Sequence, residues 1–407
     1  MNIALIGIIV LLSIAVLFCE NRRAISLRIT GSAFILQAAL AVVVLYVPLG
    51  KTILQGLSGG VQKIIDYTND GILFLFGEHL GGGLGFIFAF RVLPIIIFVS
   101  SLMAVLYHLH IMQWVVKIVG GALRRIVGTS RVESICAAAN IFFGPTEAPL
   151  AIRPYLGKLT RPQLFSVMAV GLSSISGAIL VGYASLGIGL DYLIAAAFMA
   201  APGGLLMAKL LVPDDGDLFD DDDALDVVGF DGENRPVNVI EAAADGATVG
   251  VKLAAIIGGM LLAFVALISM VNGILSSLGE WVGLTGLTLE TILGTVFSPL
   301  MFLLGIPWEE AAIAGNLVGQ KLVLNEFIAF VQMVEIQDQL SQHTRAVVTF
   351  ALCGFANLNA LAILLGGLGS MIPERKHEIA ELGLKAVLAG TLSNLMSAAI
   401  VSVLLSI

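Results

Sequence analysis

The sequence predicts an all-α integral membrane protein: eight transmembrane helices plus two re-entrant hairpins in an inverted-topology repeat, with one interfacial helix. Three observations carry that expectation. The 407 residues are 58% hydrophobic and 12% charged, against roughly 25% charged in a soluble domain, so a water-soluble fold could not cover its own surface. Apolar runs of about 20 residues, the length that crosses about 30 Å of hydrocarbon as helix, recur along the chain. Two further apolar stretches are too long for loops and are interrupted by Gly, Pro and ionisable residues.

In chain order, spans are expected near 3–19, 30–49, 86–109, 163–187, 190–212, 248–276, 346–370 and 381–406. The first lacks a basic region before Ile3 and a small-residue cleavage pattern near Glu20, so it reads as a retained helix rather than a secretion signal. Residues 51–80 scatter Lys51, Lys63, Asp66, Asp70 and Glu78 among apolar residues, the pattern of a helix lying in the outer interface. Arg22, Arg23 and Arg28, the basic residues from Lys117 to Arg161, and Arg375 with Lys376 fall on one side if span one runs inward. The expected location is the cell inner (plasma) membrane, multi-pass, with both termini extracytoplasmic.

The net charge of −8 is concentrated: residues 214–245 hold twelve acids and one base, leaving +3 for the rest of the chain. That segment reads as a solvated cytoplasmic loop. No basic tract points to nucleic acid, and Cys19, Cys136 and Cys353 stand alone without metal-ligand spacing. The five histidines cluster at span ends with no Ser/His/Asp constellation, which disfavours an intramembrane enzyme.

The two interrupted stretches, near 112–157 and 289–336, share an order of acid, small residues, Asn, Gly, acid. Glu133, Asn140, Gly144 and Glu147 carry it in the first, and Glu309, Asn316, Gly319 and Glu326 in the second. Downstream, Thr160-Arg161 precedes Gly171-Leu-Ser173-Ser174-Ile175-Ser176-Gly177, as Thr344-Arg345 precedes Gly354-Phe355-Ala356-Asn357. One extra span separates the copies, so the second enters the membrane from the opposite side, the pattern of secondary transporters with a midplane site. The expected division is 1–85 (spans one and two with the interfacial helix), 86–111 (scaffold span three), 112–213 (transport repeat one), 214–245 (acidic loop), 246–288 (scaffold span six) and 289–407 (transport repeat two). A carboxylate facing lipid costs about 2.5–3.5 kcal/mol, so Glu147 and Glu326 are expected to face protein or a watery cavity.

Ala138-Ala-Asn140-Ile-Phe-Phe-Gly144, Thr146-Glu147-Ala-Pro149, Asn325-Glu326-Phe327, Ala351-Leu-Cys-Gly-Phe355-Ala-Asn357-Leu and Gly390-Thr-Leu-Ser-Asn394 stand in one order. On these motifs the chain resembles the concentrative nucleoside transporter family over nearly its whole length. The resemblance implies a homotrimer, with spans three and six as scaffold and the hairpins with spans four and seven as the moving part. It implies Gly144, Thr146, Glu147 and Ile179 around the nucleobase, and Glu326, Phe355 and Asn357 around the ribose. Sodium would be held by the Asn140 and Ser174 side chains and the Phe143 and Ile175 carbonyls. Two positions depart from the family pattern: Pro145 replaces the usual Gln at the first hairpin tip, and Asn359-Ala360 replaces the usual Ser-Ser near the sugar.

The expected function is secondary active import of nucleosides coupled to inward sodium movement, with sodium as co-transported ion and the lipid bilayer as surroundings. The alternative is a proton-coupled carrier of nucleosides, nucleobases or another small polar solute, titrating Glu147 or Glu326.

Overall fold

Burial sorts the helices of this protein into those wrapped by protein and those facing outward. A computed structural model describes residues 3–78, 87–214, 216, 219, 236–281, 283 and 286–406, and every regular element among them is helical. The chain begins with α1 (Ile3–Leu17), α2 (Leu27–Tyr46), the long α3 (Pro48–Glu78), a short turn α4 (Phe88–Arg91) and α5 (Leu93–His108). Then come α6 (Ile111–Val127), α7 (Arg131–Ala139), a 3-10 segment Ala148–Lys158, α8 (Arg161–Ser173), α9 (Gly177–Ser185) and α10 (Leu190–Leu211). The 43-residue α11 (Val239–Trp281) leads to α12 (Leu289–Leu303), α13 (Trp308–Val323), α14 (Glu326–Glu335), α15 (Gln342–Leu352), α16 (Ala360–Gly366), α17 (Leu368–Met371) and α18 (Lys376–Leu405). The apolar windows of α8–α9 and of α10 are each 94% buried inside the protein, whereas that of α11 is 11% buried. A helix apolar on every side is explained by protein in the first case and requires lipid or another chain in the second.

Among the described residues, six helices are long and apolar enough to cross a membrane: Leu27–Tyr46, Phe88–His108, Arg161–Ser185, Leu190–Leu211, Val239–Trp281 and Pro373–Leu405. The first expected span is shorter than its 3–19 run: α1 has 15 residues. The seventh is broken between α15 and α16, where Gly354, Asn357 and Asn359 are poor helix formers, although Ala356 and Leu358 lie among them. The stretch expected to lie in the outer interface is helical as part of α3, which begins at Pro48 rather than residue 51.

Both interrupted stretches subdivide further than their composition indicated. In the first, 112–127 is an independent amphipathic helix, α6, ended by Gly128 at φ 85°, a left-handed C-cap. Ser130 and Glu133 then form a capping box that starts α7, so the hairpin proper runs from Arg131 to Lys158. In the second, α12 and α13 meet at 117°, and the hairpin proper is α13–α14. The 214–245 segment lies largely outside the described residues, and its last seven positions, with Glu241 and Asp245, belong to the first turns of α11 rather than to a loop. With these boundaries the element order repeats: helix, hairpin, broken helix, long helix.

Close approaches fix two seams. Against α5, a Cβ at Gly250 of α11 would lie 2.6 Å from the Ile97 Cα, and one at Gly246 would lie 2.6 Å from the Ala104 Cβ. At the centre, α18 crosses both helix breaks, with Asn394 seated against Gly354, where a Cβ would come within 2.3 Å of the amide oxygen.

Candidate substrate and ion site

The two breaks meet each other. The N–H of Phe355 donates to the Ser174 carbonyl at 3.2 Å, and the Asn394 amide donates to the carbonyls of Ser173 and Cys353 at 2.7 Å each. A helix that stops inside protein leaves its last carbonyls without partners. One side chain on α18 thus satisfies both ends.

The second break carries a dense polar cluster in which Glu326, Asn357 and Asn394 are all hydrogen-bonded, while the buried Asn325 Nδ2 has no partner among the described residues. Asn325 caps α14, its Oδ1 accepting from the Ile328 N–H at 2.9 Å, and this places Glu326 in the first turn, where the helix dipole favours a negative charge. Glu326 is buried, with Tyr183 donating to Oε1 at 3.0 Å and Asn357 donating to Oε2 at 3.1 Å. The Asn357 Oδ1 accepts from the Ala360 N–H at 2.9 Å, so its amide orientation is fixed. Tyr183 in turn stacks among Phe327 and Phe330, centroids 5.1 and 4.4 Å away, and Phe327 meets Phe88 edge-on at 5.3 Å. A carboxylate held by two donors still has lone pairs for hydroxyl groups. Asn359, by contrast, gives its amide to the Leu324 carbonyl at 2.9 Å and ties down the tip of the second hairpin.

The first break is less complete. The tip of hairpin one docks on the start of α9 through the Gly177 N–H and the Phe142 carbonyl at 2.9 Å. The amide of Asn140 donates to the Cys136 carbonyl at 2.9 Å, but its Oδ1, on a residue with no exposed surface, accepts nothing. Ser174 makes one long bond to the Ile175 carbonyl at 3.4 Å. Pro145 packs on α8: a Cβ at Gly171 would lie 3.1 Å from the Pro145 Cβ and 3.6 Å from the Asn140 Oδ1. The proline that departs from the family pattern thus helps set the position of the first hairpin tip. Thr146 leans the other way, onto Gly367 between α16 and α17.

Glu147 receives only the Gly144 N–H at 3.5 Å and borders a cavity of about 310 Å³ between hairpin one and the α5–α11 pair. Phe142, Phe143, Ser176 and Ala178 line it from the hairpin side, and Tyr107 and Gln113 from the other. That volume lies at the lower end of small-molecule pockets. The structure therefore brings Asn140, Phe143, Gly144 and Glu147 to one tip, Ser174 and Ile175 to the adjoining break with Ile179 one turn on, and Glu326, Phe355 and Asn357 to the opposite break. Sequence reading missed Tyr183 and Lys321. Both were visible as polar groups inside apolar runs, but only the fold shows what they touch. Among the described residues no group of three or more His, Cys, Asp and Glu side chains could hold a metal ion.

An all-helical membrane protein whose buried polar groups converge where two helices break has the architecture of a solute transporter. The chain belongs to the Na+ dependent, or concentrative, nucleoside transporter family. Its residues 192–402 match the model of the C-terminus of Na+ dependent nucleoside transporters, residues 6–79 that of the N-terminus, and residues 89–189 the nucleoside recognition (gate) model. It is 48% identical to nucleoside permease NupC of Helicobacter pylori over 98% of this chain and 96% of that one. It is 36% identical to sodium/nucleoside cotransporter 1 of the mouse, over 98% of this chain and 63% of the longer mouse protein. The solved structure of CNTnw in an inward-facing substrate-bound state superposes with a TM-score of 0.94 at 50% identity, covering 99% of this chain and 97% of that one. These relatives are transporters and not enzymes, and so is this chain.

Proposed function

We propose that the protein imports nucleosides by coupling them to inward sodium movement, through alternating access of a hairpin-bearing domain against a scaffold of α5 and α11. The observation that carries the ion half of this reading is the Asn140 Oδ1, a buried acceptor with no donor, beside the open end of α8. Hard oxygen ligands suit a small cation, and Asn140, Ser174 and the carbonyls of Phe143 and Ile175 supply them. Sodium there would fix the first hairpin tip and with it Gly144, Thr146, Glu147 and Ile179 around the base. Glu326 and Asn357 take the ribose hydroxyls and Phe355 its apolar face.

In this reading the two hairpins are re-entrant, the two copies are inverted, both termini are extracytoplasmic and three copies assemble through the outward face of α11, which exposes Leu262, Val265 and Trp281. One charge moving through 100 mV releases about 2.3 kcal/mol, roughly fiftyfold accumulation. His108, His110 and Pro236 border the cavity on Glu147, on the side the basic residues assign to the cytoplasm, which supports an inward-facing reading of this conformation.

A proton-coupled reading draws on the same Glu147, whose carboxylate has one long hydrogen bond. Uptake of labelled uridine into proteoliposomes separates the two. Accumulation under a sodium gradient, absent with potassium at equal voltage, supports the sodium reading. Accumulation under a pH gradient alone overturns it in favour of the proton, and failure of every nucleoside in a sealed, folded preparation overturns both.

A further inference from the structure

Lys321 lies on α13 with 1% of its surface exposed, yet no step of the transport reading uses it. The protein's other deeply buried lysine, Lys209, pairs with two carboxylates, Glu133 at 2.6 Å and Asp214 at 2.5 Å. The Lys321 ammonium instead donates to the Ala351 carbonyl and to the Asn394 Oδ1, both at 2.7 Å. A backbone carbonyl at the end of a broken helix and an asparagine side-chain oxygen are the kinds of ligand that the first repeat offers to sodium. The negative end of the α15 dipole favours a cation there, and Asn394 carries that polarisation to the end of α8 through the Ser173 carbonyl.

We propose that Lys321 is the tethered cation of the second repeat: its ammonium occupies, at the end of α15, the place that mobile sodium takes at the end of α8. The ribose half of the site is then assembled by a charge the protein carries, and the transport cycle needs one sodium rather than two. Lys321 is a positioning residue that acts through Asn394 and the two helix ends. The proposal rests on the sodium reading above, whose failure would show first as sodium-independent uptake in the unaltered protein.

The test is a simultaneous flux measurement of labelled sodium and uridine in proteoliposomes, which should give about one sodium per uridine; two would overturn the proposal without any variant. Purified Lys321→Gln should bind uridine at least about tenfold more weakly. Its sodium dependence should steepen, because a second ion can enter the vacated place, and high sodium should recover part of the affinity. Lys321→Arg should keep the wild-type slope. Equal losses in both variants with an unchanged slope would mark Lys321 as packing only and overturn the proposal, as would unchanged binding in Lys321→Gln. If Lys321→Gln does not fold, a flux ratio of two, or a steepened sodium dependence in Lys321→Arg, still overturns the proposal.

Discussion

The two helix breaks differ in how much of their hydrogen bonding the chain supplies itself. At the α15–α16 break, Glu326, Asn357, Asn394 and Lys321 all have partners at 3.1 Å or less. At the α8–α9 break the Asn140 Oδ1 has none, and Ser174 has one weak contact. An unmade hydrogen bond on a buried group costs about 1–3 kcal/mol. Glu326 and Asn357 are therefore held in place by the chain itself, whereas the Asn140 Oδ1 is left for the proposed sodium to satisfy.

The comparison can be broken most severely at Glu326. Glu326→Gln removes the charge that accepts from Tyr183 and Asn357 and, in the proposed site, from the ribose hydroxyls; two charge-assisted bonds lost to the ligand amount to about 3 kcal/mol, roughly a hundredfold in uridine affinity. Equilibrium binding should show that loss with unchanged sodium dependence. Next is Gly354→Ala, whose methyl would meet the Asn394 amide that joins the breaks. Overpacking of this kind costs about 1–3 kcal/mol, to be read as a lower melting temperature of the detergent-purified protein together with weaker uptake.

Asn140→Ala sharpens the contrast. It should weaken sodium-stimulated binding by about tenfold and flatten its sodium dependence, with a modest fall in melting temperature from the lost amide bond to the Cys136 carbonyl. An unchanged sodium titration would remove Asn140 from the ion site.

The smallest effect is expected away from both breaks. Glu20, after α1, receives Lys385 at 2.7 Å and Arg161 at 3.4 Å. Burial raises its pKa, but Lys385 and Arg161 outweigh that and hold it below the ordinary carboxylate value. A carboxyl with a depressed folded pKa contributes stability above its unfolded value, about 4.3, and loses it as pH falls through the folded value. The pair is partly exposed, so the contribution is below about 1 kcal/mol. Glu20→Gln should lower the melting temperature slightly at pH 7, with no further loss on acidification from this site.

Much of this arrangement was legible in the sequence because hydrophobic runs and their interruptions report directly on helices and breaks. The shared order of acid, small residues, Asn, Gly and acid singled out Glu326, and the resemblance singled out Phe355 and Asn357. The boundary of α6 was also written there, in Gly128 followed by Ser130 and Glu133, but it was subsumed in the longer interrupted stretch 112–157. Tyr183 lies 143 positions from Glu326 and Lys321 lies 73 from Asn394. No local pattern specifies either contact, so only the packed fold reveals them. The bond from the Asn359 amide to the Leu324 carbonyl and the packing of Pro145 on Gly171 are likewise visible only in the fold.

The glycine seam between α5 and α11 has a consequence for selectivity. Gly246 borders the cavity and Gly250 does not, yet both set how deeply α11 nests into α5. A single methyl at position 250 would push the helices apart from behind, changing the breadth of the passage without touching whatever travels through it. Discrimination by solute size can thus be adjusted from the outside of the wall, at a residue that a survey of ligand contacts would never single out.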